Sequence, residues 1–397
     1  MSKSSVLREL FKKSGVIRIA GAHNGLGAKL VEKSGFDGVW ASGFEISASY
    51  AVPDANILTM SQFLEAATAM NDAVSIPVIA DCDTGFGNSN NVMYMVKKYE
   101  DAGIAAITIE DKRFPKVNSY IPGRQELAPI AEFVGKILAA KNVQKTKDFM
   151  VIARVEALIA GWGLEEALKR AHSYVEAGAD AIFIHSKSNK PDEIINFTKA
   201  WDFSAPLVIC PTSYPTISLE EIENLGIKMV IYANHGLRAA IRAMNEVLSL
   251  ICKSGRLDAV DDRIVTMREV FELQGMLQMK ESEKIFLRSD EEPVKVIIPA
   301  AGAPHNQESL EPLLQDIPLA LLDINGKSIL QRNIETLNKN MLYDISVITG
   351  YRGEKFNLSG VDGVKYYHNP NYEDTHILDS IMTAGEDLKG KVLIIFS

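Results

Sequence analysis

The chain has 397 residues, 47% of them apolar and 23% charged, a composition that buries a large core and excludes a disordered protein. The length suits a large α/β domain followed by a second, shorter one. A formal net charge of -9, with no basic block to offset it, argues against nucleic acid or an anionic membrane as partner, so any anionic substrate must be captured locally. Residues 1–15 are polar and basic without an apolar core, and no later run is long enough to span a bilayer, so a cytoplasmic protein is expected. Cys82, Cys210 and Cys252 lack metal-ligand spacing and read as buried thiols of a reducing compartment.

In chain order, short β-branched runs fall at 16–20, 38–41, 77–80, 105–109, 150–154, 181–185, 206–210 and 229–233. Segments between them, such as 58–74, 91–102, 164–177 and 236–251, have helical spacing and good helix formers. Eight such units predict a parallel (β/α)8 TIM-type barrel with its site where the strands end. Those ends are polar almost throughout: His23, Trp40 to Gly43, Asp81-Cys82-Asp83, Glu110-Asp111, Arg154-Val155-Glu156, His185-Ser186, Pro211-Thr212 and Asn234-His235.

Three carboxylates suggest the cofactor. Asp81 and Asp83 lie two apart and point the same way in extended chain, and Glu110 ends the next strand. Crowded hard oxygens without His or Cys companions favour Mg2+, or Mn2+, over zinc. Capping of the following helix is the lesser alternative for the D-x-D pair. Arg154 offers a planar fork for a carboxylate or phosphoryl group, and His185 a single donor, although a histidine at a strand end also serves structure. Amides near Ser42 and Gly43 suit a carboxylate or enolate oxygen; a plain tight turn explains the glycine as well. The run E-D-K-R-F-P-K-V-N-S-Y from Glu110 to Tyr120 mixes carboxylates, lysines and an Asn-Ser pair, as a loop over a metal-bound anion would.

That run, with W-A-S-G-F, V-P-D-A-N, D-C-D-T-G-F-G-N, A-R-V-E-A-L-I-A-G-W-G and I-Y-A-N-H, each at a strand end, resembles the phosphoenolpyruvate mutases of the isocitrate lyase superfamily over roughly the first 285 residues. The resemblance implies interconversion of phosphoenolpyruvate and phosphonopyruvate, which forms a carbon–phosphorus bond in phosphonate biosynthesis. It implies that Asp81, Asp83 and Glu110 hold Mg2+ or its waters. Trp40, Ser42, Gly43 and Phe44 would receive the substrate, and Arg154 and His185 would grip its anionic groups. Asp54 matches an essential aspartate near the transferring phosphoryl group, while Lys116, Asn118 and Ser119 match residues of a closing loop. A homotetramer, a dimer of dimers built with the helix at 236–251, is implied too. The lyases of the superfamily carry a Lys-Cys-Gly-His loop motif that is absent here. Phosphonopyruvate hydrolase shares the metal site, and Asn118 favours the mutase; a sensor that binds without turnover is the remaining alternative.

The expected division is a barrel over 1–287, a linker over 288–293 and a second domain over 294–397. A helix over 264–286 is expected to end the barrel domain. In the second domain, L-L-D-I-N-G-K-S-I-L, S-V-I-T-G-Y and H-N-P-N-Y-E-D-T-H resemble nucleotidyltransferases, which implies a partial open α/β sheet. Where that family has Ala-Ala-Gly-x-Gly-x-Arg, this chain has Ala300-Ala301-Gly302-Ala303-Pro304-His305-Asn306, and Leu319 replaces an expected lysine. The sequence reaches Ser397 just before the family's metal-binding aspartate, so at most half a transferase, without nucleotidyl transfer and with an exposed sheet edge, is expected.

Overall fold

Strands β1 (Ile17–Ala22), β2 (Gly38–Ala41), β3 (Val78–Asp81), β4 (Ala106–Glu110), β5 (Met150–Val155), β6 (Ala181–Ile184), β7 (Leu207–Ile209) and β8 (Met229–Tyr232) pair in parallel and in order, and β8 closes on β1. The structure, a computed structural model, describes residues 1–123, 125–287, 294–303, 314–358, 361 and 363–396. All eight expected strands are present. The expected helices appear as Met60–Ala73, Ser89–Asp101, Gly163–Glu176 and His235–Ser254. The strands are short, and β2, β3, β4 and β6 are buried on both faces throughout, which is why they read as continuous runs and not as alternations.

Two apolar layers hold the barrel. Inward side chains, including Ile19, Trp40, Ile79, Ile152, Phe183, Val208 and Ile231, fill its interior, and Leu7 of the N-terminal helix Lys3–Lys12 packs with them. Arg8 of that helix binds Asp180 at 2.7 Å and the carbonyls of Lys147 and Phe149, at the amino ends of the strands. Outward side chains such as Val78, Val151, Ile182 and Val230 pack against Phe63, Val96, Phe133 and Tyr174 of the helices. Stability therefore resides below and around the barrel, leaving the carboxyl ends for polar groups.

Two expectations are corrected. The helix over 264–286 is interrupted: Met267–Gln274 and Met276–Phe286 are separated by Gly275, whose φ of 74° is a left-handed conformation that ends a helix. Cys252 is exposed and not buried, because the helix His235–Ser254 buries none of its residues, whereas Cys82 and Cys210 are buried as expected.

The chain divides into two compact units, Met1–Leu277 and Gln278–Ser397, ten residues before the expected boundary at 287. The expected linker at 288–293 and the Pro304-His305-Asn306 loop lie outside the described residues. In the second unit, β9 (Lys295–Ala300), β12 (Ile345–Thr349), β13 (Lys365–His368) and β14 (Val392–Ile394) form a parallel sheet in the order β13-β12-β9-β14, and β10 (Asp323–Ile324) and β11 (Lys327–Ser328) make a small antiparallel pair. This is the open α/β sheet the strand–loop–helix pattern predicts. The helix Ile329–Lys339 begins with a Ser328/Gln331 capping box and buries Leu330, Ile334 and Leu337 against the sheet. Among the described residues no helix is long and apolar enough to cross a membrane.

Candidate active site

Parallel register sets the site's first contacts. Glu110 and Arg154 are ladder partners at the ends of β4 and β5, and Arg154 Nη1 stands 3.3 Å from Glu110 Oε2. Two residues after Arg154, Glu156 leaves β5 on the same side, and Arg154 Nε donates to its Oε1 at 2.6 Å. His185, just past β6, brings Nδ1 to 2.7 Å from Glu156 Oε1 and 2.8 Å from Arg154 Nη2. Burial and the adjacent guanidinium lower the His185 pKa, although the Glu156 carboxylate opposes them.

The loop after β4 is seated over this floor. Its neck is a short antiparallel pairing in which Lys112 bridges Leu127, Arg113 N donates to Glu126 O at 3.0 Å, and Ala128 N donates to Asp111 O at 2.8 Å. Beyond the neck, Lys116 Nζ stands 3.0 Å from Asp54 Oδ1 and 2.6 Å from Asp83 Oδ1. Asn118 Nδ2 donates to Asp54 Oδ2 at 2.8 Å. Burial disfavours a charged Asp54, yet the Lys116 ammonium and the Asn118 amide hold its pKa below the ordinary carboxylate value. Lys116 is held charged in turn: burial opposes it, but Asp54 and Asp83 outweigh that and raise its pKa well above the ordinary lysine value.

A cavity of about 630 Å³ lies beneath the loop, lined by Trp40, Ser42, Phe44, Asp54, Asp81, Lys116, Asn118, Ser119, Arg154 and His185 among others. Of the expected site residues, Gly43, Asp83 and Glu110 are not part of the lining. Gly43 sits just behind it, where a Cβ would stand 3.1 Å from Asp81 Oδ2 and 3.2 Å from the Phe63 ring, so a larger residue would push Asp81 or Phe63 by a few tenths of an ångström. The amide of Ser42, expected to face an anion, instead donates to Ala22 O at 3.1 Å, and its side chain caps the helix Gly43–Ser49. Phe44 is partly exposed and lines the cavity, and Trp40 packs edge-on against Phe183.

Three cations, Lys112, Lys116 and Arg154, face five carboxyl groups, Asp54, Asp81, Asp83, Glu110 and Glu156, two more acids than bases in a buried space, where burial raises the Asp83 pKa well above the ordinary value although Lys116 opposes it. Glu110 Oε1 has no hydrogen-bond partner among the described residues. Burial, with Glu110 and Asp54 nearby, raises the Asp81 pKa although Lys116 and Arg154 oppose it. This oxygen-only, charge-deficient set fits a hard divalent cation in donor chemistry. As arranged, with Lys116 drawn between Asp54 and Asp83, no three such groups among the described residues surround one point at ligating distance.

Several residues of the site were not singled out by sequence reasoning. Asn56, two residues after Asp54, donates to Asp83 Oδ2 at 2.7 Å and accepts from Lys116 N at 2.6 Å; Asn56 and Asp83 both have left-handed φ, 55° and 49°. The signal was its place in V-P-D-A-N. Asp111 is fully buried: Oδ2 accepts from Arg170 Nη1 at 2.9 Å and Tyr174 Oη at 2.7 Å, and Oδ1 from Glu156 N at 2.9 Å. It thereby fastens the loop's neck to β5 and to the helix Gly163–Glu176. Arg170→Met is expected to lower the stability of the barrel by about 3–5 kcal/mol, because it leaves a buried carboxylate short of its cation. Urea unfolding followed by circular dichroism measures this, and a wild-type midpoint would contradict it.

A parallel barrel whose strand ends gather carboxylates and cations beneath a seated loop is the architecture on which many enzymes of small anionic metabolites are built. Residues 7–252 match the family model described as phosphoenolpyruvate phosphomutase. The chain is 51% identical over 290 residues to a phosphonopyruvate hydrolase of Variovorax sp. (strain Pal2), a match spanning 72% of this chain and 100% of the relative. The crystal structure of a phosphoenolpyruvate phosphomutase from Streptomyces platensis subsp. rosaceus superposes with a TM-score of 0.71 at 58% identity, covering 72% of this chain and 99% of that one. A phosphonopyruvate hydrolase in complex with oxalate and Mg2+ superposes with a TM-score of 0.70 at 50% identity, covering 72% and 100%. The chain belongs to the phosphoenolpyruvate phosphomutase family, within the superfamily that also contains isocitrate lyase.

Proposed function

We propose that the barrel interconverts phosphoenolpyruvate and phosphonopyruvate with a bound divalent cation, Mg2+ or Mn2+. The observation that carries this reading is the seated loop, in which the Asn118 amide meets the Asp54 carboxylate at 2.8 Å on the wall of the cavity. In the forward direction the bond from phosphorus to the enol oxygen breaks and a bond from phosphorus to carbon three forms, with no water and no net proton. The loose, metaphosphate-like transfer needs positioning and exclusion of water more than acid–base chemistry. Asp81, Asp83 and Glu110 would hold the cation or its waters, which suits an ion that keeps part of its hydration shell. When bound, the cation supplies charge stabilisation at the enolate oxygen.

The protein's own groups do the rest. Arg154 and His185 grip the anionic ends, Asp54 stands beside the phosphoryl group, Lys116 and Asn118 close over it, and Ser119 fastens the loop through Glu156. Trp40, Ser42, Gly43 and Phe44 shape the pyruvate side of the cavity. Phosphorus NMR tests the reading: phosphonopyruvate with Mg2+ is expected to give a phosphate ester. Inorganic phosphate with pyruvate would favour hydrolysis, the activity named for the 51% identical relative. Neither product would favour a binding protein without turnover.

The second unit is proposed to take no part. Its loop sequence lacks the glycine and arginine, and its next segment the lysine, that would neutralise a nucleoside triphosphate. A chain ended after Leu287 is expected to keep full activity, and the full chain with CTP, 2-aminoethylphosphonate and Mg2+ is expected to release no pyrophosphate. Pyrophosphate above a no-enzyme control, or loss of activity on deletion, would contradict this. The homotetramer implied by the resemblance gains support from Ile241, Met244 and Leu248, exposed along one face of the helix His235–Ser254. Light scattering after size exclusion reports the mass.

A further inference from the structure

The grip on the cavity and the loop above it share one carboxylate, beside a longer direct contact in which Arg154 Nη2 donates to Ser119 Oγ at 3.3 Å. Glu156 is fully buried, does not line the cavity, and divides its two oxygens between two tasks. Oε1 accepts from Arg154 Nε at 2.6 Å and lies 2.7 Å from His185 Nδ1, both on groups that line the cavity. Oε2 accepts from Ser119 Oγ at 2.7 Å and stands 3.2 Å from Lys112 Nζ, both on the loop. Lys112, also buried, reaches further along the loop, donating to Val117 O at 2.9 Å and Ser119 Oγ at 2.6 Å. Glu156 itself is tied down through its amide to Asp111.

We propose that Lys112 and Glu156 are positioning residues that form a latch: Lys112 gathers the loop onto Glu156 Oε2, and the same carboxylate sets Arg154 and His185 through Oε1, so that loop closure and anion grip are coupled. The catalytic consequence rests on the function proposed above. The latch itself rests on the contacts alone.

Physical reasons favour a latch over a static brace. The loop's own residues Val117 and Ser119 belong to none of the apolar clusters formed by the described residues; they line the cavity, and their polar groups are drawn down by one ammonium. Removing that ammonium releases Val117 O and one of the partners of Ser119 without touching a barrel strand. Burial works against a charged Glu156, yet Arg154, His185 and Lys112 hold its pKa well below the ordinary value, so one anion serves both sides. An anion entering the cavity competes for Arg154 and His185 and therefore changes what Glu156 offers the loop.

Hydrogen exchange on the full chain tests this without reference to turnover. In the wild type the amides of Lys116, Tyr120 and Ile121 are hydrogen-bonded, to Asn56 Oδ1, Asn118 Oδ1 and Asn118 O, and are expected to exchange slowly. Lys112→Met is expected to accelerate them about tenfold while the amides of β1 to β8 keep wild-type rates, and Lys112→Arg to restore protection. Oxalate with Mg2+ is expected to slow loop exchange in the wild type and to lose that effect in Glu156→Gln. Unchanged loop exchange in Lys112→Met, acceleration shared equally by the strands, or an undiminished oxalate effect in Glu156→Gln would each overturn the latch. Should the wild type convert no phosphonopyruvate, the proposed function falls while the exchange data still decide the latch.

Discussion

Asp54→Ala is expected to lose all measurable conversion of phosphonopyruvate, and Asn118→Ala to lose about 10²–10³-fold in kcat with the fold intact. Both side chains meet on the cavity wall, but their chemistry differs. Asp54 is the carboxylate kept ionised by Lys116 and Asn118, so it alone of the two can steer or accept a phosphoryl group. Asn118 is an uncharged donor that fixes where phosphoryl oxygens lie. Neither loss requires unfolding, since Lys116 retains Asp83 at 2.6 Å when Asp54 is removed. Steady-state rates with circular dichroism on each variant check the prediction, and wild-type rates in either would contradict the roles proposed for them.

Asp81→Asn is expected to abolish turnover, as is excess EDTA, without loss of stability. The sign follows from the direction of its pKa. Burial raises the Asp81 value above that of the unfolded chain, so its contribution to stability is present at low pH and is lost as pH rises through the raised folded value. Above the raised folded value the ionised carboxylate opposes folding, and a neutral amide of the same size removes that cost. Melting temperature and rate, measured together, separate the cases: full activity in EDTA would refute the metal assignment, and a large fall in melting temperature would mark Asp81 as a structural group.

Much of this was legible because each barrel strand is a short apolar run whose polar end falls at the mouth. Runs ending at Asp81, Glu110, Arg154 and His185 name their site residues by position, since a parallel barrel sends every carboxyl end to one face. The long terminal helix was misjudged because its amphipathic spacing continues past Gly275, and only the backbone shows that this glycine turns left-handed and stops it. Cys252 was read as buried on its type alone, although its helix has no buried face.

By itself the sequence determined the barrel, its strand order and the cast of charged residues, because periodicity and strand-end chemistry are local properties. Only the tertiary structure decided how those charges pair. Lys116 and Asp54 are 62 residues apart and Glu156 and Ser119 are 37 apart, so nothing local shows that they meet. Lys112 looked like one of several loop cations and Glu156 like a polar strand end. Their joint hold on the loop arises because folding brings them into a buried space where an unpaired charge is costly, and each charge must therefore find the partner that chain topology offers.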